Sequence, residues 1–183
     1  RHTPKIPPEN ITSLMRLDQN RAKSIFASKI NVSVPSISRL IVWGNHSATQ
    51  FPDINNVQVD GLDNFDHKYD NDWIRDDFIP RVQNRGAEII DYRGKSSAAS
   101  AASAVYDHLN CVVNGSDDWE SMGVISRNPY GISSEIFYSF PLSVSAKNYN
   151  IIENIDISDL SLNYLRATEK ELIHERDIIK DLL

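Results

Sequence analysis

The sequence has one cysteine and only seven glycines in 183 residues. A lone thiol, Cys111, makes no internal disulfide and supplies no cysteine-based metal framework, and points to a reducing compartment. The glycines form no Gly-x-Gly-x-x-Gly and no Gly-x-x-x-x-Gly-Lys-[Ser/Thr], so the chain carries no nucleotide-phosphate cradle of its own. No apolar run approaches the about 18 residues that a spanning helix requires, which excludes a membrane span. Basic blocks and arginine stripes are also missing. Nineteen Lys and Arg stand against 25 Asp and Glu, a net charge of −6, which weighs against a nucleic-acid partner. There is no His-x-x-x-His and no histidine–carboxylate cluster, so metal ligation has no support. The opening, Arg1-His2-Thr3-Pro4-Lys5-Ile6-Pro7-Pro8, has three prolines and no apolar core, unlike a signal peptide.

What is present is the composition of one ordinary globular domain, 40% apolar and 24% charged. Leu14, Leu17, Ala22 and Ile25 recur at helical spacing and predict a helix over Ile11–Ile30, with Asp18 and Arg21 inside the same stripe. Asn31–Ser38 reads as a turn around Pro35, and Arg39–Trp43 as a short apolar strand stopped by Gly44. Val57 and Val59 running into Asp60-Gly61 give a hairpin signal, and Leu62–Asn71 reads as an acidic loop. A helix is expected over Asp72–Tyr92, interrupted at Pro80 and Gly86. A third, rich in Ala and Ser, is expected over Ser96–Val113 and capped at Asn114-Gly115. Strands are expected near Ser121–Ser126, Glu135–Val144 and Asn148–Ile152, the first two joined by a turn at Arg127–Gly131. The chain ends in an amphipathic helix from Leu160, with Leu165, Leu172 and Ile179 at heptad spacing. Strands joined by turns, interspersed with helices, predict an α+β fold with an antiparallel sheet.

Three segments could carry chemistry. Asp18 and Arg21 are either an i,i+3 surface ion pair or, turned inward, a carboxylate and a guanidinium that need partners. An arginine at such a rim can grip an outside carboxylate with two parallel hydrogen bonds. His46 sits just past a buried strand, beside a glycine that lets the backbone turn, and is either an ordinary loop histidine or a proton carrier. Ser96 and Ser97 open a small-residue helix, which serves close packing or an anion at the helix start. A Ser96–His46–Asp18 hydrolase lacks the Gly-x-Ser-x-Gly elbow.

Together, Leu17-Asp18-Gln19-Asn20-Arg21-Ala22, Trp43-Gly44-Asn45-His46-Ser47 and Ser96-Ser97-Ala98 resemble the cytosolic-type branch of the lactate/malate dehydrogenase family, in the same order. Gln50–Asp53, Val82–Gly86, Ser121–Val124, Asn128–Gly131 and Tyr138–Pro141 extend the match over nearly all of residues 11–183. The resemblance implies that residues 11–183 are the catalytic, substrate-binding domain, and residues 1–10 the connector from an upstream Rossmann domain that binds NAD. It implies His46 as the proton acceptor, Asp18 as its carboxylate partner and Arg21 as the clamp on the substrate carboxylate. Asn45 and Ser96 follow as further substrate-site residues. The implied activity is NAD-dependent interconversion of malate and oxaloacetate by a cytoplasmic homodimer, with this chain inactive alone. An NADP-dependent relative, or a non-catalytic dicarboxylate-binding or dimerisation module, stays open on the residues themselves.

Overall fold

A helix is predicted from Ile11, yet in the computed structural model it begins only at Arg16, because Ser13–Leu14 is drawn into a sheet as β1. The structure describes residues 5–62 and 71–182, so most of the expected acidic loop lies outside the described residues. In chain order, β1 is followed by α1 (Arg16–Ile30), β2 (Ile37–Ser38), β3 (Ile41–Trp43), β4 (Phe51–Asp53) and β5 (Gln58–Val59). A short helical turn α2 (Asn71–Trp73) leads through a π-helical turn (Ile74–Phe78) into α3 (Ile79–Arg93), then α4 (Ala98–Asn114). β6 (Glu120–Ile125), β7 (Phe137–Ser145), β8 (Asn148–Ile151) and α5 (Asp159–Ile178) complete the domain. The sheet is antiparallel in the order β1-β6-β7-β8, and the fold is α+β as expected.

Local departures have physical causes. β1 lies against β6 where Ser13 faces Gly123, and any Cβ on Gly123 would collide with the Ser13 side chain. The expected hairpin at Asp60-Gly61 is instead a distant pairing: Val59 stands opposite Ile37, so β5 partners β2. Within the predicted turn around Pro35, Val34–Ser36 forms a 3-10 turn before β2 begins. Neither Pro80 nor Gly86 breaks the second helix. Pro80 falls in the first turn of α3, where its missing N–H costs little, and the π-helical turn before it is closed by Ile79 N–H donating to Ile74 O. Ile179, expected on the apolar face of the last helix, is exposed because α5 ends at Ile178, whereas Leu165 is fully buried.

The core gathers Phe26, Leu40, Trp43, Phe78, Tyr138, Phe140 and Leu165 between sheet and helices. Trp43 packs edge-on against Tyr130 at 5.1 Å and donates its indole N–H to the buried carboxylate of Asp53 at 3.1 Å. The buried face of α1 is rotated from the predicted stripe. Met15, Asp18, Gln19, Ala22 and Phe26 face inward, while Leu17, Arg21 and Ile25 lie at its edge. Gln19 explains the rotation. Its amide donates to the carbonyls of Leu40 and Trp119, each at 2.9 Å, and accepts from Ser121 N–H at 3.1 Å. A buried amide with all these bonds made pins α1 to the segments before β3 and β6, and so sets where Asp18 and Arg21 point.

Candidate active site

β3 delivers His46. On one side β3 pairs with β4, and on the other, serines of β6 and β7 reach its backbone. Ser121 Oγ accepts from Val42 N–H at 2.8 Å, and Ser139 Oγ donates to Val42 O at 2.7 Å. Gly44 and Ser139 then exchange backbone hydrogen bonds at 3.0 and 2.9 Å. Gly44 has φ +91°, and a Cβ there would collide with Thr168 of α5, so glycine is required on both counts. The chain turns at this point and sends His46 toward α1.

His46 Nδ1 meets Asp18 Oδ2 at 2.5 Å. A carboxylate only accepts, so Nδ1 carries the proton and Nε2 keeps a free lone pair. Asp18 is fully buried, while the His46 side chain is 60% exposed. One helical turn along α1, Arg21 Nη1 lies 3.3 Å from Asp18 Oδ1, and Nη2 lies 3.5 Å from Ser97 Oγ. Both contacts are long, so the guanidinium is held in place without its donors being used up. With Asp18 and Arg21 only 1% and 14% exposed, this is no solvated surface pair. Gly86 of α3 lies beside the guanidinium, and a Cβ there would meet Arg21 Nη1 at 3.6 Å, an ordinary contact distance.

His46, Asp18, Arg21 and Ser96 line one cavity of about 330 Å³, together with Gln50 and Gln83. Ser96 is exposed, and no hydrogen bond joins it to His46 among the described residues, so the hydrolase arrangement is not formed. Asn45 does not reach the cavity. Its side-chain amide donates to Glu171 Oε2 at 3.1 Å and Glu175 Oε1 at 2.9 Å, and its N–H donates to Thr168 Oγ1 at 2.8 Å. The bonds to α5 hold Asn45 on the far side of the loop, whereas Ser47 and Ala48 line the cavity with His46. Gln50 and Gln83 were not foreseen. Gln83 donates to Gln50 O at 2.8 Å, and Gln50 is buried with Oε1 unpartnered. Nothing in local sequence pairs these two glutamines. Cys111 is a buried free thiol on α4, pushed up by that burial and absent from the cavity lining. Among the described residues no group of three His, Cys, Asp or Glu side chains could hold a metal ion, and no helix is long and apolar enough to cross a membrane.

The hydrogen bond to Asp18 raises the His46 pKa above its ordinary value, against partial burial and the nearby Arg21 charge. The arrangement therefore favours the imidazolium, the form created when His46 accepts a proton. A raised value also means that the pair stabilises the fold fully below the unfolded-state pKa of about 6.5, an effect lost as pH rises through the folded value. Asp18→Asn should bring the His46 midpoint down and remove this low-pH stabilisation. A histidine-resolved NMR titration checks it, and an unmoved midpoint would disprove the coupling.

A family model for the lactate/malate dehydrogenase alpha/beta C-terminal domain matches residues 15–182. The fold is shared with malate dehydrogenase from Naegleria fowleri at 45% identity and a TM-score of 0.94, covering 98% of this chain and 56% of that one. It is shared also with lactate dehydrogenase from Trichomonas vaginalis, solved with NADH and oxamate, at 33% identity and a TM-score of 0.92, covering 98% of this chain and 57% of that one. The chain thus spans little more than half the length of these relatives. Sequence and fold agree over nearly every described element, and the chain belongs to the lactate/malate dehydrogenase family, of which it is the alpha/beta C-terminal domain.

Proposed function

We propose that this chain is the substrate-binding and proton-transferring half of an NAD-dependent malate dehydrogenase that interconverts malate and oxaloacetate. The observation that carries it is the His46–Asp18 hydrogen bond of 2.5 Å at a cavity that Arg21 also lines. In the oxidative direction the malate hydroxyl proton passes to His46 Nε2, while Asp18 holds the ring tautomer and balances the imidazolium. Arg21 offers its fork to the carboxylate beside the reacting carbon, which fixes that carbon with respect to His46. Ser96 lines the same space and is assigned to the substrate. Asn45 acts behind the site rather than in it, given its bonds to α5.

The described residues offer no dinucleotide cradle: α4, whose first turn borders the cavity, is preceded by Lys95-Ser96-Ser97 and not by a glycine loop. NAD belongs to an upstream nucleotide-binding domain, for which residues 1–10 are the connector, and when bound it supplies the hydride acceptor. A cytoplasmic homodimer is part of the same proposal. Ser24, Ser28 and Ile25 of α1, with Ile89 of α3, line a groove of about 760 Å³ that would admit a second copy close to the active site. The lactate side of the family is the second reading, on the likeness to the Trichomonas vaginalis enzyme.

By itself the 183-residue chain is expected to fold, to bind no NADH in the micromolar range and to turn over no oxaloacetate. Calorimetric titration is the check, and micromolar binding would overturn the division of labour between domains.

A further inference from the structure

Resting on this function, we propose that Glu171 of α5 is a positioning residue that sets the reach of His46 by gripping the loop on both sides of it. Its Oε2 accepts from Asn45 Nδ2 at 3.1 Å, from Ser47 Oγ at 2.5 Å and from Thr49 Oγ1 at 2.5 Å. Thr168 and Glu175 extend the grip, taking Asn45 N–H at 2.8 Å and the Asn45 amide at 2.9 Å. Residues 168, 171 and 175 share one face of α5 at helical spacing. The loop bends and turns through residues 46–49, and the side chains of Asn45, Ser47 and Thr49 all converge on Glu171 from it. His46 is left between the gripped residues and finds its own partner, Asp18, on the opposite wall, with Arg21 beside it.

The chemistry suits a carboxylate. One oxygen collects three donors that would otherwise compete for the imidazole or for water. Burial pushes the Glu171 carboxyl up, but the bonds from Ser47, Thr49 and Asn45 outweigh it and hold it below the usual range. Glu171 therefore stays ionised at neutral pH and accepts only. A His46 exposed over more than half its side chain, reaching a buried carboxylate at 2.5 Å, needs its backbone fixed from outside the cavity. Ser139 of β7 holds Gly44, and from Asn45 to Thr49 the side-chain grip comes from α5.

The test has two readouts. In the 183-residue chain, the His46 midpoint is followed by NMR in wild type, Glu171→Ala and Glu171→Gln. In the protein that includes the nucleotide-binding domain, kcat and KM for oxaloacetate reduction are measured over pH. Glu171→Ala should lower the His46 midpoint and cut kcat about 10- to 100-fold with KM nearly unchanged, the scale of a misplaced catalytic group. Glu171→Gln should restore most of both, because its carbonyl oxygen can take the place of Oε2. A folded Glu171→Ala with wild-type midpoint and kcat, or a Glu171→Gln as impaired as the alanine variant, overturns the proposal. Should Glu171→Ala not fold, the double variant Ser47→Ala/Thr49→Val removes two donors and leaves α5 intact. It should lower the midpoint in the same direction, and an unmoved midpoint overturns the proposal. Wild-type protein that reduces no 2-oxoacid would sink the dehydrogenase function, while the NMR midpoints would still decide the role of Glu171.

Discussion

His46→Asn, in the protein that joins this domain to its nucleotide-binding domain, is expected to lower kcat for malate oxidation by about 10²- to 10⁴-fold, the usual contribution of a positioned general base. Asparagine can still donate a hydrogen bond to Asp18, so the buried carboxylate keeps a partner and the fold should survive. What disappears is the lone pair on Nε2 and the raised pKa that the Asp18 bond confers. Affinity for NADH should hardly change, since the proposed function assigns phosphate binding to an upstream domain. Stopped-flow oxidation with parallel NADH fluorescence titration separates the two quantities. A loss smaller than about tenfold would show that the proton leaves by another route.

Arg21→Lys is expected to reduce kcat/KM for oxaloacetate about 30- to 1000-fold, mainly through KM, because lysine keeps the charge and loses the fork. Two charge-assisted hydrogen bonds contribute about 2–4 kcal/mol, which sets that range. Geometry favours a large effect. Arg21 is 14% exposed and makes only long contacts, at 3.3 Å to Asp18 and 3.5 Å to Ser97, so its donors stand ready for a carboxylate in the cavity. Were it only the partner of Asp18, the substitution would leave KM for oxaloacetate unchanged. Steady-state kinetics on one variant distinguish these outcomes, and an unchanged KM removes Arg21 from the site.

Much of the fold is legible in local sequence because local forces decide it. Helical spacing marks α1 and the body of α5, a run of Ala and Ser marks α4, and the glycine after Asn114 caps α4 with its N–H on Cys111 O. The segments holding His46, Asp18 and Arg21 stand out too, since a histidine near a glycine at a strand end and charges within an apolar stripe break the surrounding pattern, but that pattern leaves an ordinary role open for each, and their joint role is what the family resemblance implies. What local sequence does not show depends on distant partners. β1 forms because Gly123 has no side chain, and β5 pairs with β2 across the whole site loop. The rotation of α1 follows from the bonds of Gln19 to Leu40, Trp119 and Ser121. Asn45 is expected in the cavity beside His46, yet its amide is held by Glu171 and Glu175, two carboxylates on the last helix. No spacing rule connects residues so far apart.

The measurement that bears most directly on the account is kcat/KM for oxaloacetate and for pyruvate, determined side by side with NADH on the protein in which this domain follows its nucleotide-binding domain. The proposed malate dehydrogenase function predicts rapid reduction of oxaloacetate in preference to pyruvate. A preference for pyruvate would move the protein to the lactate side of its family. Turnover of neither would contradict the assignment of His46, Asp18 and Arg21 to 2-hydroxyacid chemistry.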